Sequence, residues 1–183
     1  VVVFLNGTTQ TTLYWGNQVP AFAKRFGLLL YDARGQGQSD LGNQPISLKL
    51  HVTDLKALSS HLSVERMNLV GISHGARLAM AFALDNADSV NKLVLCSTSA
   101  RTSPRCRAIV RSWLEILKLS SLKAMAWAAL PSVFGNRFLK HQLKTIDKIV
   151  DAVVLRNSQN ALMAHLEAIL NYPPLDRFPT DFN

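Results

Sequence analysis

Cysteine is scarce in this sequence, since Cys96 and Cys106 are the only two among 183 residues. Two cysteines suggest no disulfide framework, and they have no metal-ligand spacing. No apolar run reaches the length that spans a bilayer, and no basic residue precedes the first apolar run. We therefore expect neither a transmembrane segment nor a secretory signal, and we expect a reducing cytoplasm as the compartment.

Charged residues are also few, at 17%, while hydrophobic residues make up 48%. This balance indicates a packed globular core, and the length favours one domain. The first five residues, Val1 to Leu5, have the apolar character of a buried strand. A natural terminus rarely starts inside a core strand, so we expect the sequence to be a piece of a longer polypeptide.

Acidic residues nearly vanish between positions 101 and 148, where only Glu115 and Asp147 occur. That segment accounts for the formal net charge of +8 because it contains ten cations. The positive charge is compatible with a solvated face, with attraction of an anionic substrate or acidic carrier, or with binding to a membrane surface. We expect no nucleic-acid binding, because no recognition motif accompanies the charge. The ten cations are Arg101, Arg105, Arg107, Arg111, Lys118, Lys123, Arg137, Lys140, Lys144 and Lys148.

Strand and helix patterns alternate over residues 1–100, which predicts an α/β fold with a parallel sheet and flanking helices. The predicted strands are 1–5, 27–31, 67–72 and 92–96. The predicted helices are 14–26, 47–62 and 74–86; in the first, Trp15, Val19, Phe22 and Ala23 share one face.

The pattern becomes entirely helical after Arg101, with helices predicted at 105–119, 121–130, 138–155 and 158–171. We therefore predict three parts: a partial core (1–100), a helical cap (101–172) and the start of a return to the core (173–183). In the cap, six apolar residues are candidates for lining a cavity or for packing the helices together: Trp113, Met125, Trp127, Phe134, Met163 and Leu166.

The strongest chemical signal is Gly71-Ile72-Ser73-His74-Gly75, at a predicted strand-to-helix junction. A sharp turn there lifts a serine hydroxyl out of the sheet, and glycines two residues before and after relieve the crowding. The new helix directs its dipole and free N–H groups at the serine, which suits an oxyanion. The alternative is a structural turn without a nucleophile.

Two further loops follow predicted strands. Asn6-Gly7-Thr8 is either an ordinary Asn-Gly turn or a source of the second backbone donor that an oxyanion needs, with Thr8 as donor. The loop 32–40 contains several polar side chains and two glycines at the carboxyl edge of the sheet, where ligands bind in open α/β folds. A phosphate cradle is a weak alternative, since the lysine and Ser/Thr of a P-loop are absent.

In these three loops the chain resembles the α/β-hydrolase superfamily, in its esterase, lactonase and perhydrolase-like branch. The resemblance implies that Ser73 is the catalytic nucleophile and that the amides of Thr8 and His74 form the oxyanion hole. Asn6 replaces the usual histidine of its loop, a departure that concerns the packing of the loop and not the mechanism. The residues that support the motifs are Gly7, Asp32, Arg34, Gly35, Gly37, Ser39, Gly71 and Gly75.

A serine nucleophile needs a base, and the base needs an orienting group. The resemblance places an acid after the cap and a histidine after the last strand, and we expect both to be missing here, together with two strands before Val1. We predict that His51 and His61 lie on a helix surface and that the His74 side chain points away from the serine. His141 and His165, with Asp147, Asp151, Asp176 and Asp181, are expected to be solvated or capping residues. At the other acid position, 97–99, no carboxylate occurs.

The first functional hypothesis is a serine hydrolase that cleaves a small-molecule ester, lactone or thioester through an acyl-enzyme, without metal or organic cofactor. A haloalkane dehalogenase is disfavoured because its nucleophile is a carboxylate. The second hypothesis is a non-catalytic scaffold of the same fold that binds a ligand or a partner. Exposed sheet edges also predict self-association of the chain.

Overall fold

Four strands form one parallel sheet in the computed structural model, which describes residues 1–176. Their order is β2-β1-β3-β4, so the chain crosses between strands through helices. The alternating pattern therefore predicted the fold class correctly, and each predicted strand is confirmed within two residues. The strands are β1 (Val2–Leu5), β2 (Leu28–Leu30), β3 (Met67–Ile72) and β4 (Val90–Cys96).

Two helices cover one face of this sheet: α2 (Leu48–His61) and α3 (His74–Asp85). The side chain of Ser47 caps α2 by accepting a hydrogen bond from the amide of Leu50. α3 lies against β1, β3 and β4, and it packs on α2. Because β1 and β3 are central, their ends bring the first loop and the Ser73 turn together. The main core between these elements includes Val3, Leu5, Leu55, Met67, Leu69, Leu78 and Phe82.

The predicted helix over residues 14–26 is wrong in extent. The structure has a 3₁₀ turn at Thr12–Trp15 and a single α-helical turn, α1 (Val19–Phe22). Gly16 and Asn17 have low helix propensity, and Pro20 has no amide hydrogen for a helix bond, so a continuous helix has little support there. Trp15 and Phe22 still pack on Phe4, with ring centroids 4.8 and 5.5 Å away, while Ala23 is exposed.

Five helices follow β4 within the described residues, in agreement with the predicted all-helical segment. The predicted helix 138–155 is two helices, because a turn at Thr145 bonds back to Gln142. The predicted end at 130 is three residues short, since Pro131 is tolerated in the last turn of its helix. The helices are α4 (Pro104–Leu119), α5 (Leu122–Val133), α6 (Asn136–Gln142), α7 (Ile146–Arg156) and α8 (Gln159–Asn171).

These helices bury a second apolar cluster between α4, α5 and α8. Serine side chains cap each of these three helices by accepting from the third residue along the chain. The division into core, cap and return segment remains a prediction. In the predicted return segment (173–183), the amide of Leu175 donates a hydrogen bond to the Ala100 carbonyl at 2.9 Å. Residues 177–183, which include Asp181, lie outside the described residues. The second cluster comprises Val110, Leu114, Leu117, Leu122, Met125, Leu162, Leu166 and Leu170.

The edges of the sheet are β2 and β4, each of which pairs with one strand among residues 1–176. On β4, Val94 is 51% exposed, so an apolar side chain faces outward beside the edge. Self-association through these edges remains a prediction. Within the same described range, no helix combines the length and the apolar character needed to cross a membrane.

Candidate functional site

Ser73 stands at the turn between β3 and α3, as the motif predicted. Its backbone has φ 53° and ψ −114°, a combination that costs energy for a residue with a side chain. The Ser73 amide donates to the Cys96 carbonyl at 2.9 Å, which ties the turn to β4. Ser73 is exposed, so the turn presents its hydroxyl to an incoming molecule.

Gly71 and Gly75 leave no room for a side chain. A Cβ on Gly71 would lie 2.6 Å from the backbone nitrogen and Cα of Ala76. A Cβ on Gly75 would collide with the Leu5 carbonyl and lie 2.6 Å from the Asn6 carbonyl oxygen. The second glycine thus lets the start of α3 touch the end of β1, which places the loop after β1 beside Ser73.

The candidate oxyanion donors, Thr8 and His74, line the same cavity as Ser73. The amide of His74 opens α3 and has no intrahelical acceptor, so it is free to bind a ligand oxygen. The neighbouring Gly7 amide is already used, because it donates to Gln10 Oε1 at 2.9 Å. Both residues of the predicted pair therefore lie at one cavity with Ser73, and their role as oxyanion donors remains a prediction.

The loop of residues 32–40 does not line the cavity, but it forms hydrogen bonds with the loop after β1. Asp32 accepts hydrogen bonds from the Asn6 side chain (3.2 Å) and the Thr12 amide (2.8 Å), and its carbonyl accepts from the Ser39 hydroxyl at 2.6 Å. Gly37 has φ 52°, and a Cβ there would collide with the Asp32 carboxylate. Asn6 is well packed despite its departure from the motif, because Trp15 Nε1 donates to its oxygen at 2.8 Å.

The backbone of Arg34 and Gly35 faces α8 of the helical segment, while the Arg34 side chain pairs with α2. Arg34 makes two hydrogen bonds to Asp54, at 2.9 and 2.7 Å. Its carbonyl oxygen lies 2.7 Å from His165 Nε2 on α8. A Cβ on Gly35 would lie 3.2 Å from the same nitrogen, so the glycine permits the close approach of α8 to this loop.

Gln36 holds the loop after β1, although sequence reasoning did not single it out. It is 1% exposed, and its amide nitrogen donates to the carbonyls of Gly7 (2.9 Å) and Thr8 (3.1 Å). The Gly7 carbonyl shares a peptide plane with the Thr8 amide, so these two bonds fix the planes on either side of the Thr8 Cα. Only the tight loop that contains it hinted at a role, since a lone glutamine carries no motif.

We expect Gln36→Leu to lower kcat about 10- to 100-fold, with a smaller change in KM. The loop would lose both side-chain bonds, and small misplacement of a donor weakens its contact with the transition state. The measurement is steady-state hydrolysis by the full-length protein. Gln38→Leu is the matched control, because Gln38 is exposed in the same loop. An equal loss in both variants would contradict the positioning role.

The cavity above Ser73 has a volume of about 440 Å³. Arg77 and Arg105 line it, and none of its lining residues within 1–176 is acidic. Arg77 is 7% exposed and is anchored by the carbonyls of Ser99 (3.0 Å) and Pro173 (2.8 Å). No sequence pattern pointed to Arg77, because a cation in an alanine-rich helix is usually a surface residue.

The six apolar residues of the cap segment that were candidates for lining a cavity lie in different places in the structure. Trp113 and Leu166 line the cavity over Ser73. Met125 and Phe134 line a different, smaller cavity between α5 and α7. Met163 packs against the second apolar cluster, and Trp127 is 39% exposed.

The largest difference between the sequence prediction and the structure is the burial of two histidines. His51 and His165 are each 1% exposed, so the prediction that they lie at the surface is wrong. Both contact the buried ring of His74, which also lies 3.0 Å from the Tyr172 hydroxyl. Burial lowers the pKa of all three rings. The pKa of His74 falls well below its usual value. The pKa of His51 falls to about 4, with a smaller contribution from the neighbouring His165. All three rings are therefore neutral at pH 7.

The other candidate residues behave as expected. His61 and His141 are exposed, as are Asp147, Asp151 and Asp176. Two of the carboxylates form surface ion pairs, Asp151 with Lys123 (2.9 Å) and Asp176 with Arg101 (2.8 Å). None of these five side chains lines the cavity over Ser73.

A family of sequences described as the alpha/beta hydrolase fold matches residues 1–119. A soluble epoxide hydrolase from Corynebacterium sp. (strain C12) is 33% identical over 94 residues, which cover 51% of this chain and 33% of that protein.

Solved structures extend the similarity to almost the whole chain. An alpha/beta hydrolase enzyme from a Medee basin deep-sea metagenome library has a TM-score of 0.85 and 28% identity, covering 92% of this chain and 63% of the other. The enol-lactonase from Burkholderia xenovorans LB400 has a TM-score of 0.82 and 27% identity, covering 93% of this chain and 65% of the other. The chain thus spans less than two thirds of each of these three proteins.

Proposed function

This chain belongs to the α/β-hydrolase fold family, and on that basis we propose that it is the nucleophile-bearing part of a serine hydrolase for a carboxylic ester, lactone or thioester. One observation carries the proposal: Ser73 is exposed on a strained turn, in a cavity that it shares with the candidate donors Thr8 and His74. Hydrolases among its relatives support hydrolysis as the general activity.

In the proposed reaction, Ser73 Oγ attacks the carbonyl carbon and its proton passes to a base. The carbonyl oxygen becomes an oxyanion held by the Thr8 and His74 amides. The bond to the leaving alcohol or thiol breaks, and the base protonates that group. Water then attacks the acyl-enzyme, which releases the acid and restores the Ser73 hydroxyl.

We place the base and its orienting acid in a part of the protein that lies outside these 183 residues. Of the five histidines in the sequence, His51, His74 and His165 are buried together, while His61 and His141 are exposed and do not line the cavity. His74 Nε2 is paired with Tyr172, not with the serine hydroxyl. The solved hydrolases contain further chain that this sequence does not span, which supports this placement.

Acyl transfer is favoured over the epoxide opening that the name of one relative specifies. A serine that opened an epoxide would form an alkyl ether, which water does not cleave readily. A serine that attacks an ester forms an acyl-enzyme, which water hydrolyses. The residue at the turn is a serine, so the chemistry of the turnover step favours esters and their analogues.

The charge of the cavity supports a substrate with an anionic group away from the scissile bond. Arg105 is exposed at the cavity and Arg77 is buried beneath it, and the described lining contains no carboxylate to neutralise them. The positive electrostatic potential of these two arginines attracts anions, and this attraction weakens as salt is added.

A substrate pair tests this proposal in the full-length protein: a p-nitrophenyl alkanoate and the matched ester of a dicarboxylic acid with equal chain length. We expect both to be hydrolysed, with kcat/KM about 3- to 10-fold higher for the anionic ester at low salt. Arg105→Gln should remove that preference, whereas Arg107→Gln, which changes an exposed cation of α4 outside this cavity, should keep it. Binding of the esters without hydrolysis would favour the non-catalytic scaffold.

A further inference from the structure

Three buried histidines from distant parts of the chain converge behind the candidate nucleophile. His51 lies in the first turn of α2, His74 begins α3, and His165 lies on α8. Their ring centroids are 4.9, 5.2 and 5.5 Å apart. One nitrogen from each ring lies within 4.8 Å of the corresponding nitrogens of the other two.

Several of these nitrogens lack partners within residues 1–176. Neither ring nitrogen of His51 makes a hydrogen bond, and the same holds for Nδ1 of His165. A buried polar group without a partner costs about 1–3 kcal/mol, so such groups normally have a protein, water or ion partner. His51 and His165, whose rings stack on each other, therefore have three buried nitrogens between them without a described partner.

The tautomer of His165 is a second, independent observation that one of its ring nitrogens could bind a ligand. Its Nε2 lies 2.7 Å from the Arg34 carbonyl, which can only accept, so Nε2 carries the hydrogen. In the neutral ring, Nδ1 then holds a free lone pair. A backbone carbonyl that orients the far nitrogen is the usual outer partner of a metal-bound histidine.

We propose that His51, His74 and His165 form a buried binding site for one divalent transition-metal ion, with Zn²⁺ as the best match. Three neutral imidazoles suit Zn²⁺, Co²⁺, Ni²⁺ or Cu²⁺, whereas Mg²⁺ and Ca²⁺ require oxygen ligands. The site is distinct from the proposed acyl transfer, in which the metal takes no step.

The cluster must contract to bind an ion. Zn–N bonds of about 2.0–2.1 Å place tetrahedral nitrogens roughly 3.3 Å apart, so separations of up to 4.8 Å must close by about 1.5 Å. His51 can rotate without breaking a hydrogen bond, because neither of its nitrogens has a partner. The Tyr172 hydroxyl, 3.0 Å from His74 Nε2, is an oxygen at the edge of the cluster.

Charges around the cluster set an upper limit on affinity. Arg34 and Asp54 act on His51 as a compensated ion pair, while Arg77 adds one positive charge near His74. No carboxylate is part of the cluster. We therefore expect a dissociation constant in the micromolar range, weaker than that of sites with thiolate ligands.

An ion held here would connect α8 to α2 and α3, immediately behind the turn that contains Ser73. Its expected effect is structural, because it would tether a helix of the cap segment to the core. Binding to the folded state alone raises the unfolding temperature as the concentration of free metal rises.

The test is a titration of chelator-treated full-length protein with ZnCl₂ by calorimetry, and with CoCl₂ by visible absorption. We expect one ion per chain, a higher unfolding temperature and the intense visible bands of tetrahedral cobalt. His51→Phe should weaken binding at least 100-fold, while His61→Phe, at an exposed position of the same helix, should bind like the wild type.

Two results would overturn the proposal. One is a wild-type dissociation constant weaker than about 100 μM, which is the range of casual contacts with exposed histidines. The other is equal binding by wild type and by folded His51→Phe, which would assign the ion elsewhere. If His51→Phe fails to fold, His165→Gln is used, since its amide can still donate to the Arg34 carbonyl.

Discussion

Replacing Ser73 with alanine is expected to lower kcat/KM for ester hydrolysis at least about 10³-fold in the full-length protein. The proposed reaction has no other group that forms the covalent intermediate. Alanine keeps the backbone and removes only the hydroxyl, which is exposed and supports no neighbouring element. The loss corresponds to about 4 kcal/mol of transition-state stabilisation.

Ser132→Ala is the matched control for this prediction. Ser132 is an exposed serine of α5 at the same cavity, but it is not at the turn. Its loss should change kcat/KM less than about threefold, since surface substitutions away from special features have small effects. Residual activity of Ser73→Ala near the wild-type value would assign the nucleophile to another residue.

Gly75→Ala is expected to reduce the free energy of unfolding by about 3 kcal/mol or more, or to prevent folding. The new methyl group would collide with the Leu5 carbonyl and approach the Asn6 carbonyl oxygen to 2.6 Å. Neither is a flexible side-chain end; both belong to the backbone at the end of β1. Relief of the clash would separate the turn from the oxyanion loop, so activity should fall with stability.

Thermal and urea unfolding of the full-length protein measure this loss. Gly16→Ala is the control, because a Cβ there would lie 3.4 Å from its nearest neighbour and its backbone is right-handed helical. That variant should be neutral or slightly stabilising, by up to about 1 kcal/mol. Equal stability of Gly75→Ala and wild type would show that the contact between β1 and α3 is looser than described.

The elements that the sequence predicts well are those with a local cause. The run from Met67 to Ile72 is rich in apolar, branched residues, and the glycines around Ser73 are required by the backbone of a single turn. Such signals lie within a few residues of one another. The predicted helix at 14–26 does not form as one element because the low helix propensity around Gly16 outweighs the apolar spacing.

The histidine cluster could not be predicted in the same way. His51, His74 and His165 are far apart in the sequence, and each sits in a helix where a polar residue usually faces solvent. Only the docking of α8 against α2 and α3 brings them together, and that depends on packing across the whole core. Gln36 and Arg77 were missed for a related reason, since most of their hydrogen-bond partners are backbone carbonyls, which carry no sequence signal.

The central claim is a covalent acyl-enzyme on Ser73, and mass spectrometry tests it most directly. Full-length wild-type protein and Ser73→Ala are treated with a fluorophosphonate, or quenched with acid during ester turnover, and then digested and mapped. We predict one adduct per chain, on the peptide that contains Ser73, and none on the alanine variant. Ester hydrolysis with no adduct at Ser73, or with the adduct on another residue, would contradict the account.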